Sequence, residues 1–154
     1  MRPLLWILIF GSNLASADVE TRLAKVDAKK VKLEIRVNDQ TAKINDAKLK
    51  VKMFGYHKRW LDNSASLIYT WDYPVKELPF IATFNISRDW YKSINDPAVE
   101  IQANARYYFK IYLDSDKNGD ICQGDYVQKS ISSYDELLDA YEEVLFPSTT
   151  ACTL

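Results

Sequence analysis

The residues best suited to do chemistry in this chain are the carboxylates and amides between positions 114 and 125. The segment Asp114-Ser-Asp-Lys-Asn-Gly-Asp120 fits the calcium-loop pattern D-x-D-x-N-G through its first six positions. Oxygen atoms at alternate positions can surround one hard cation, and Gly119 permits the sharp turn between them. The pattern therefore predicts a Ca²⁺ site whose ligands are Asp114, Asp116, Asn118, Asp120 and Asp125.

The last ligand position departs from the usual calcium loop. Sensor loops end in a bidentate glutamate, whereas this loop ends in the shorter Asp125, so weaker binding or poorer selectivity against Mg²⁺ is expected. The alternative is that Asn118-Gly119 is only a type I′ hairpin turn with acidic neighbours that keep it soluble. A turn needs the Asn-Gly pair but has no need of both preceding carboxylates, which favours the metal site.

The segments that flank this loop indicate strands rather than the helices of an EF-hand. Residues 107–113 and 126–131 are rich in aromatic and β-branched side chains. EF-hands also usually come in pairs, and the sequence has no second loop of this kind. We therefore predict a cation loop on a β-hairpin and keep an EF-hand-like, calcium-responsive binding protein as an alternative.

The sequence offers no recognisable catalytic constellation. Its one histidine, His57, is expected to lie exposed at a strand end rather than to act as a general base. Neither a G-x-S-x-G elbow nor a glycine-rich phosphate loop is present. Pairs of carboxylates brought together only by folding would be invisible at this stage, so a small secreted hydrolase acting on glycans remains an alternative.

The N-terminal segment has the features of a secretion signal. Arg2 supplies a positive charge, residues 4–10 form an apolar run, and Ala15-Ser16-Ala17 is a small-x-small cleavage site. We expect a signal peptide over residues 1–17 and one domain over residues 18–154. The apolar run is shorter than the roughly 20 residues of a membrane-spanning helix, and no Cys at the junction could accept a lipid, so neither a membrane span nor a lipid anchor is expected.

An exported chain with two cysteines favours a disulfide. Cys122 and Cys152 are those two residues, and neither has a second Cys or a His at a spacing typical of a metal ligand. The expected location is therefore the periplasm or the extracellular space.

The charge balance argues against nucleic acid as a partner. The chain has 20 basic and 21 acidic side chains, a formal net charge of −1. Lysines do cluster between positions 25 and 58, but most alternate with apolar residues, a pattern typical of a strand with one solvated face.

Alternating apolar and polar residues predict a mainly β domain. The expected strands occupy 31–37, 47–53, 66–71, 80–86, 106–113 and 126–131, and the first two are expected to pair in antiparallel fashion. Residues 88–94 are expected to form a short helical turn. Residues 133–146 break the rhythm, because Ser133 and Glu136 form a capping-box pattern ahead of apolar residues on one helical face. The prediction is a transthyretin-like or immunoglobulin-like β-sandwich of about seven strands with one C-terminal α-helix.

The order of these features resembles a known family. The chain has Lys50-Val-Lys-Met-Phe54, then Leu78-Pro-Phe80, Arg106-Tyr-Tyr-Phe-Lys-Ile111 and the loop that ends in Gly124-Asp-Tyr126. Over about residues 31–131 this is similar to the YbaY/YscW-type periplasmic proteins, which include pilotins of type III secretion systems. The resemblance implies a β-sandwich that acts by binding and carries no catalytic residues. The chain lacks the family's lipid-acceptor Cys at the signal junction and adds residues 133–146 and the Cys pair.

These observations together predict a non-enzymatic periplasmic or secreted protein. It is expected to bind a protein partner or a component of the cell envelope, with a cation stiffening one hairpin.

Overall fold

The computed structural model describes residues 27–39, 44, 46–59 and 65–152. The expected signal peptide and its cleavage site lie outside these residues and remain a prediction. The described strands are β1 Ala28–Val37, β2 Ala47–His57, β3 Ser66–Val75, β4 Phe80–Ser87, β5 Ala105–Asp114, β6 Tyr126–Gln128, β7 Ser133–Tyr134 and β8 Ala140–Pro147. Two short 3-10 helices span Trp90–Ser93 and Gln102–Asn104.

The strands form one sheet that curls into a nearly closed barrel. Its order is β3-β2-β5-β6-β8-β1-β4, and β7 also pairs with β5. Neighbouring strands are antiparallel except β1 and β8, which run parallel. Along β2 the side chains alternate strictly between buried and half-buried positions, because successive residues of a strand point to opposite faces. The buried set faces the barrel interior.

Side chains rather than a strand ladder bridge the two end strands, β3 and β4. The Tyr73 hydroxyl donates to the Thr83 carbonyl oxygen at 3.0 Å, and the Ser87 amide donates to the Tyr69 hydroxyl at 3.4 Å. The rings of Trp71 and Phe84 stack with centroids 4.3 Å apart. Aromatic residues therefore close the barrel along this seam.

The predicted β-sandwich is wrong, because β5, β6, β8 and β1 are joined in one continuous sheet rather than divided between two. A sandwich and a small barrel both place alternate side chains in one core, so their strands have the same period of two. The difference depends on which strands pair, and those pairings join residues far apart in sequence. The alternation predicted the strands but could not distinguish the two architectures.

The predicted C-terminal α-helix over residues 133–146 is also wrong. This segment contains β7 and β8, and no α-helix occurs in the part of the chain that the structure describes. Tyr141 and Leu145 are both buried on the inner face of β8. Residues four positions apart share a face in a strand as well as in a helix, so their spacing fitted both structures. The pairing of β8 with β1 and β6 decides in favour of the strand.

The expected antiparallel pair of the first two strands does not form either. β1 pairs with β4 on one side and with β8 on the other, whereas β2 lies between β3 and β5. The expected strands at 66–71 and 80–86 and the helical turn near residue 90 are confirmed by β3, β4 and the first 3-10 helix.

Aromatic residues fill one end of the barrel. Trp90 is fully buried, and a Cβ atom placed on Gly55 would lie 3.3 Å from its ring and 2.8 Å from Ile94 Cγ1. The Tyr107 ring packs edge-on against Trp90 with centroids 5.0 Å apart. Its hydroxyl bonds to the Tyr141 hydroxyl and donates to the Glu136 carbonyl oxygen at 2.9 Å. Burial raises the pKa of Tyr107 far above its ordinary value, so this phenol stays neutral.

Among the described residues, we find no helix whose length and apolar content would allow it to cross a membrane.

Candidate functional site

The predicted cation loop connects two antiparallel strands. β5 ends at Asp114, β6 begins at Tyr126, and the strands pair through Leu113 with Tyr126 and through Tyr112 with Val127. The prediction of a β-hairpin is therefore confirmed, and the helical EF-hand alternative is wrong for this segment. Gly119 has a φ of 92°, a left-handed conformation that favours glycine.

Asp125 organises the loop from its C-terminal end. Its side chain is buried, and both carboxylate oxygens accept backbone hydrogen bonds. Oδ1 accepts from the Ser115 amide at 2.7 Å, and Oδ2 accepts from the Cys122 amide at 2.9 Å. Because each bond joins Asp125 to a different part of the loop, this one carboxylate holds the two sides of the loop together.

Asp116 and Asn118 form the exposed tip of the loop. Asp116 Oδ1 accepts from the Asn118 amide at 3.0 Å, and Asp116 Oδ2 accepts from Asn118 Nδ2 at 2.8 Å. Asn118 Oδ1 in turn accepts from the Asp120 amide at 2.8 Å. Through these bonds, the carboxylate oxygens of Asp116 and the amide oxygen of Asn118 all accept from donors within the loop.

Asp114 is the residue that the loop's own hydrogen bonds do not fully satisfy. It is 5% exposed, and its Oδ2 accepts from the Gly119 amide at 3.0 Å. Its Oδ1 is buried and has no hydrogen-bond partner. A buried acceptor left unpaired costs about 1 to 3 kcal/mol. A bound cation would remove this cost by taking Oδ1 as a ligand.

The structure brings three of the five predicted ligands together through their carboxylates. Oxygen atoms of Asp114, Asp116 and Asp125 lie within 4.8 Å of one another. The carboxylate of Asp120 is not in this cluster, so its contribution would have to come from its backbone oxygen. Carboxylate oxygens are ligands that Ca²⁺ and Mg²⁺ prefer, and three of them could supply part of the roughly six to eight oxygens that Ca²⁺ takes.

Beyond sequence motifs, comparison with solved structures identifies a fold relative. The chain is similar to an alternative pilotin from the type II secretion system of Vibrio cholerae. The two superpose with a TM-score of 0.57 over 78% of this chain and 96% of the pilotin, at 11% sequence identity. The likeness is one of fold. No protein-family model matches the chain, and no curated protein does.

The barrel also carries a disulfide beside the loop. Cys122 and Cys152 are bonded, with Cα atoms 4.8 Å apart. Cys122 is buried, and its backbone oxygen accepts from the Asp125 amide at 3.0 Å. The bond therefore ties the end of the chain to the loop that Asp125 organises.

The expectation that His57 is solvent-exposed is wrong. His57 is the last residue of β2 and is 6% exposed, because it lies on the inner side of the strand with Gly55 and Met53. Its Nδ1 accepts a hydrogen bond from the Arg59 amide at 3.2 Å. The period of two in β2 includes position 57, so this burial could have been predicted by extending the strand that far.

A surface on the outside of β2 and β5 could not be predicted from the sequence. Lys52 lies directly opposite Lys110, and Phe54 lies opposite Tyr108. The lysines of β2 were visible in the sequence, but their neighbours on β5 come from a segment more than fifty positions later, and only the pairing of the two strands brings them together.

Proposed function

We propose that this chain is a non-enzymatic binding protein of the cell envelope that assists the assembly of a secretion complex. The observation that carries the proposal is the fold likeness to the Vibrio cholerae pilotin, which spans almost all of that protein. That protein belongs to a secretion system, so the corresponding function here is the binding of a protein of such a system.

The disulfide supports a location in the periplasm or outside the cell. Disulfides persist in oxidising compartments and are rare in the cytoplasm. The Cys122–Cys152 bond and the expected signal peptide at residues 1–17 agree on this compartment. A protein in that space can reach the envelope components of a secretion complex.

The partner proposal is tested by cross-linking in the native host, followed by affinity purification and mass spectrometry. We expect a protein component of a secretion complex to be enriched, and deletion of the gene to reduce the assembled complex several-fold. An unrelated exported protein with the same tag is the control. If the assembled complex is unchanged by deletion and no such component is cross-linked, the proposed function is wrong.

We also propose that the loop between β5 and β6 binds one hard cation, Ca²⁺ in the first instance. The supporting observation is the unpaired, buried Oδ1 of Asp114 beside the carboxylates of Asp116 and Asp125. Asn118 and the backbone oxygen of Asp120 would complete the ligand set. Asp125 bonds to both sides of the loop, so a cation here would stiffen the hairpin and the tail attached to it.

Calcium is expected to raise the thermal midpoint of the wild-type protein by several degrees. A ligand that binds only the folded state adds about 2.7 kcal/mol at one hundred times its dissociation constant. The variant Asp114→Asn with Asp116→Asn should lose this response. With chelator present, its midpoint should equal or slightly exceed that of the wild type, because two repelling carboxylates are gone. Differential scanning fluorimetry with calcium, magnesium and chelator measures the effect.

The matched control removes two exposed carboxylates away from the loop. Asp135→Asn with Glu136→Gln changes the net charge by the same amount and should keep the calcium response. A wild-type midpoint that is the same in millimolar calcium, in magnesium and in chelator would leave only the hairpin-turn interpretation.

A further inference from the structure

The outer face of β2 and β5 combines lysines with aromatic rings. Outward-facing residues of these strands alternate with the buried ones and are half-buried, except Arg106, which is exposed, and Asp114, which is buried. We call this surface the lysine–aromatic face and define it by six residues, which are Lys50, Lys52, Phe54, Tyr108, Lys110 and Tyr112.

Three lysines on this face have no ion-pair partner among the residues that the structure describes. No carboxylate of the described residues forms an ion pair with Lys50, Lys52 or Lys110, although the neighbouring Lys48 pairs with Asp72 at 3.0 Å. Lys52 and Lys110 also lie directly opposite each other across the two strands. Like charges at such positions destabilise a sheet. Within the part of the chain that the structure describes, this face thus carries positive charge that no ion pair offsets, although Asp72 lies opposite Lys50 on β3.

The rings on the face are held in place and keep their neutral form. Phe54 and Tyr108 stack with centroids 5.3 Å apart, and Lys110 Nζ lies 5.3 Å from the Phe54 ring centroid. Burial raises the pKa of Tyr108 and of Tyr112, so neither phenol ionises to offset the lysines. Lysine stems packed against rings leave their charged ends directed toward solvent.

An apolar groove continues the face on its β6 side. It has a volume of about 630 Å³ and is lined by Tyr112, Ile121, Val127, Phe146 and the residues after β8. Tyr112 belongs to both the face and the groove, since it pairs with Val127, which in turn pairs with Phe146. Lys129 Nζ lies 5.3 Å from the Phe146 ring centroid at the groove's edge. Positive charge and apolar lining are therefore adjacent.

We propose that the lysine–aromatic face binds an extended acidic segment of a partner protein, with an apolar side chain of that segment in the adjoining groove. This inference rests on the proposed protein-binding function and names the chemistry of the partner. Carboxylates at alternate positions of an extended peptide are about 6 to 7 Å apart, which matches the spacing of Lys50 and Lys52 along β2. Lys110 lies across from Lys52 and reaches the same carboxylate.

The size of the basic patch favours a peptide over a nucleic acid. The patch is bounded by Asp72 on β3 and by the acidic loop that begins at Asp114, opposite Lys48. A polyanion that extended beyond a few phosphates would meet these carboxylates and be repelled. A segment with two or three carboxylates fits within the patch, and its apolar residues fit the groove.

The test uses a twelve-residue peptide with two glutamates at alternate positions, followed by phenylalanine and leucine. We expect the full-length mature protein to bind this peptide in fluorescence anisotropy, and the affinity to fall as salt rises. The variant Lys52→Gln with Lys110→Gln should weaken binding at least tenfold. Its thermal midpoint should equal or exceed that of the wild type, because a like-charge pair has been removed.

The matched control is Lys30→Gln with Lys32→Gln, which removes two exposed lysines at alternate positions of β1. This variant should bind the peptide as the wild type does, and a peptide with glutamine in place of both glutamates should bind neither protein. The inference is overturned if the wild type does not bind the acidic peptide, or if Lys52→Gln with Lys110→Gln binds it unchanged.

Two further arms exclude other anions and separate this inference from the proposed function. Single-stranded DNA and phosphatidylglycerol vesicles are tested in the same way. If either binds the wild type more tightly than the peptide does, and Lys52→Gln with Lys110→Gln loses that binding, the proposal of an acidic protein segment is overturned. If Lys52→Gln with Lys110→Gln still captures the same partner as the wild type in the cross-linking experiment, binding through the lysine–aromatic face is refuted and the proposed function stands. If the wild type binds the peptide but no secretion component is cross-linked, the lysine–aromatic face is supported and the proposed function is contradicted.

Discussion

Replacing Trp90 with alanine is expected to lower the free energy of unfolding by about 3 to 5 kcal/mol, the range for large aromatic residues removed from a core. Trp90 is fully buried and packs against Tyr107 and over Gly55. Deleting the indole would leave a cavity beside β2 and β5, two strands that pair along their length, so the surroundings could collapse into it only in part. Urea denaturation followed by circular dichroism measures the change.

The variant Trp90→Phe separates packing from hydrogen bonding at this position. The indole Nε1 is buried without a hydrogen-bond partner. Removing an unsatisfied buried donor recovers about 1 to 3 kcal/mol, which offsets part of the lost contact. Trp90→Phe should therefore cost less than half as much as Trp90→Ala. Equal losses in the two variants would show that the indole nitrogen has a partner in solution. Leu67→Ala, at a side chain that is 53% exposed, should stay within about 0.5 kcal/mol of wild type.

Loss of the disulfide is expected to have the second large effect. The Cys122–Cys152 bond closes a sequence separation of 30 residues. Cross-linking a loop of that length stabilises a protein by roughly 3 to 4 kcal/mol in the chain-entropy model. Cys122→Ala with Cys152→Ala should lose about this amount. The change keeps the Cys122 backbone amide that donates to Asp125, so the loss reports the cross-link rather than the loop's hydrogen bonds.

Reductant provides the control for this prediction. Dithiothreitol should lower the urea midpoint of the wild type toward that of the double alanine variant and should leave the variant unchanged. The mass of freshly purified wild-type protein should be two hydrogens below its reduced mass. Free thiols in that preparation, or a midpoint insensitive to reductant, would contradict the disulfide.

The sequence predicted local features of the fold well, because those features have local causes. Alternation of apolar residues placed β4 and β5 almost to their ends, and the aromatic and β-branched residues on either side of the D-x-D-x-N-G loop placed it between two strands. The C-terminal helix failed because Tyr141 and Leu145 are four positions apart, a spacing that a helix and a strand share. The barrel could not be predicted because it depends on the pairing of β1 with β8 and of β2 with β5.

The candidate sites also differ in whether their residues are close in sequence or are brought together only by strand pairing. The carboxylates of the loop lie within one short segment, so their spacing was readable, but the unpaired Oδ1 of Asp114 emerged only from the packing around it. The lysine–aromatic face joins Lys52 to Lys110 through strand pairing alone. In the sequence only the lysines of β2 appear as a cluster, and alone they are typical of an ordinary strand with one solvated face.

The parallel pairing of β1 with β8 has a kinetic consequence. It joins the first described strand to the last, with Lys32 opposite Ala140, so its contacts form only after a very long loop has closed. Folds dominated by such non-local contacts fold slowly, typically in milliseconds to seconds. A chain that is still being synthesised lacks β8 and cannot complete its barrel. The barrel therefore closes only after the last described strand has been made.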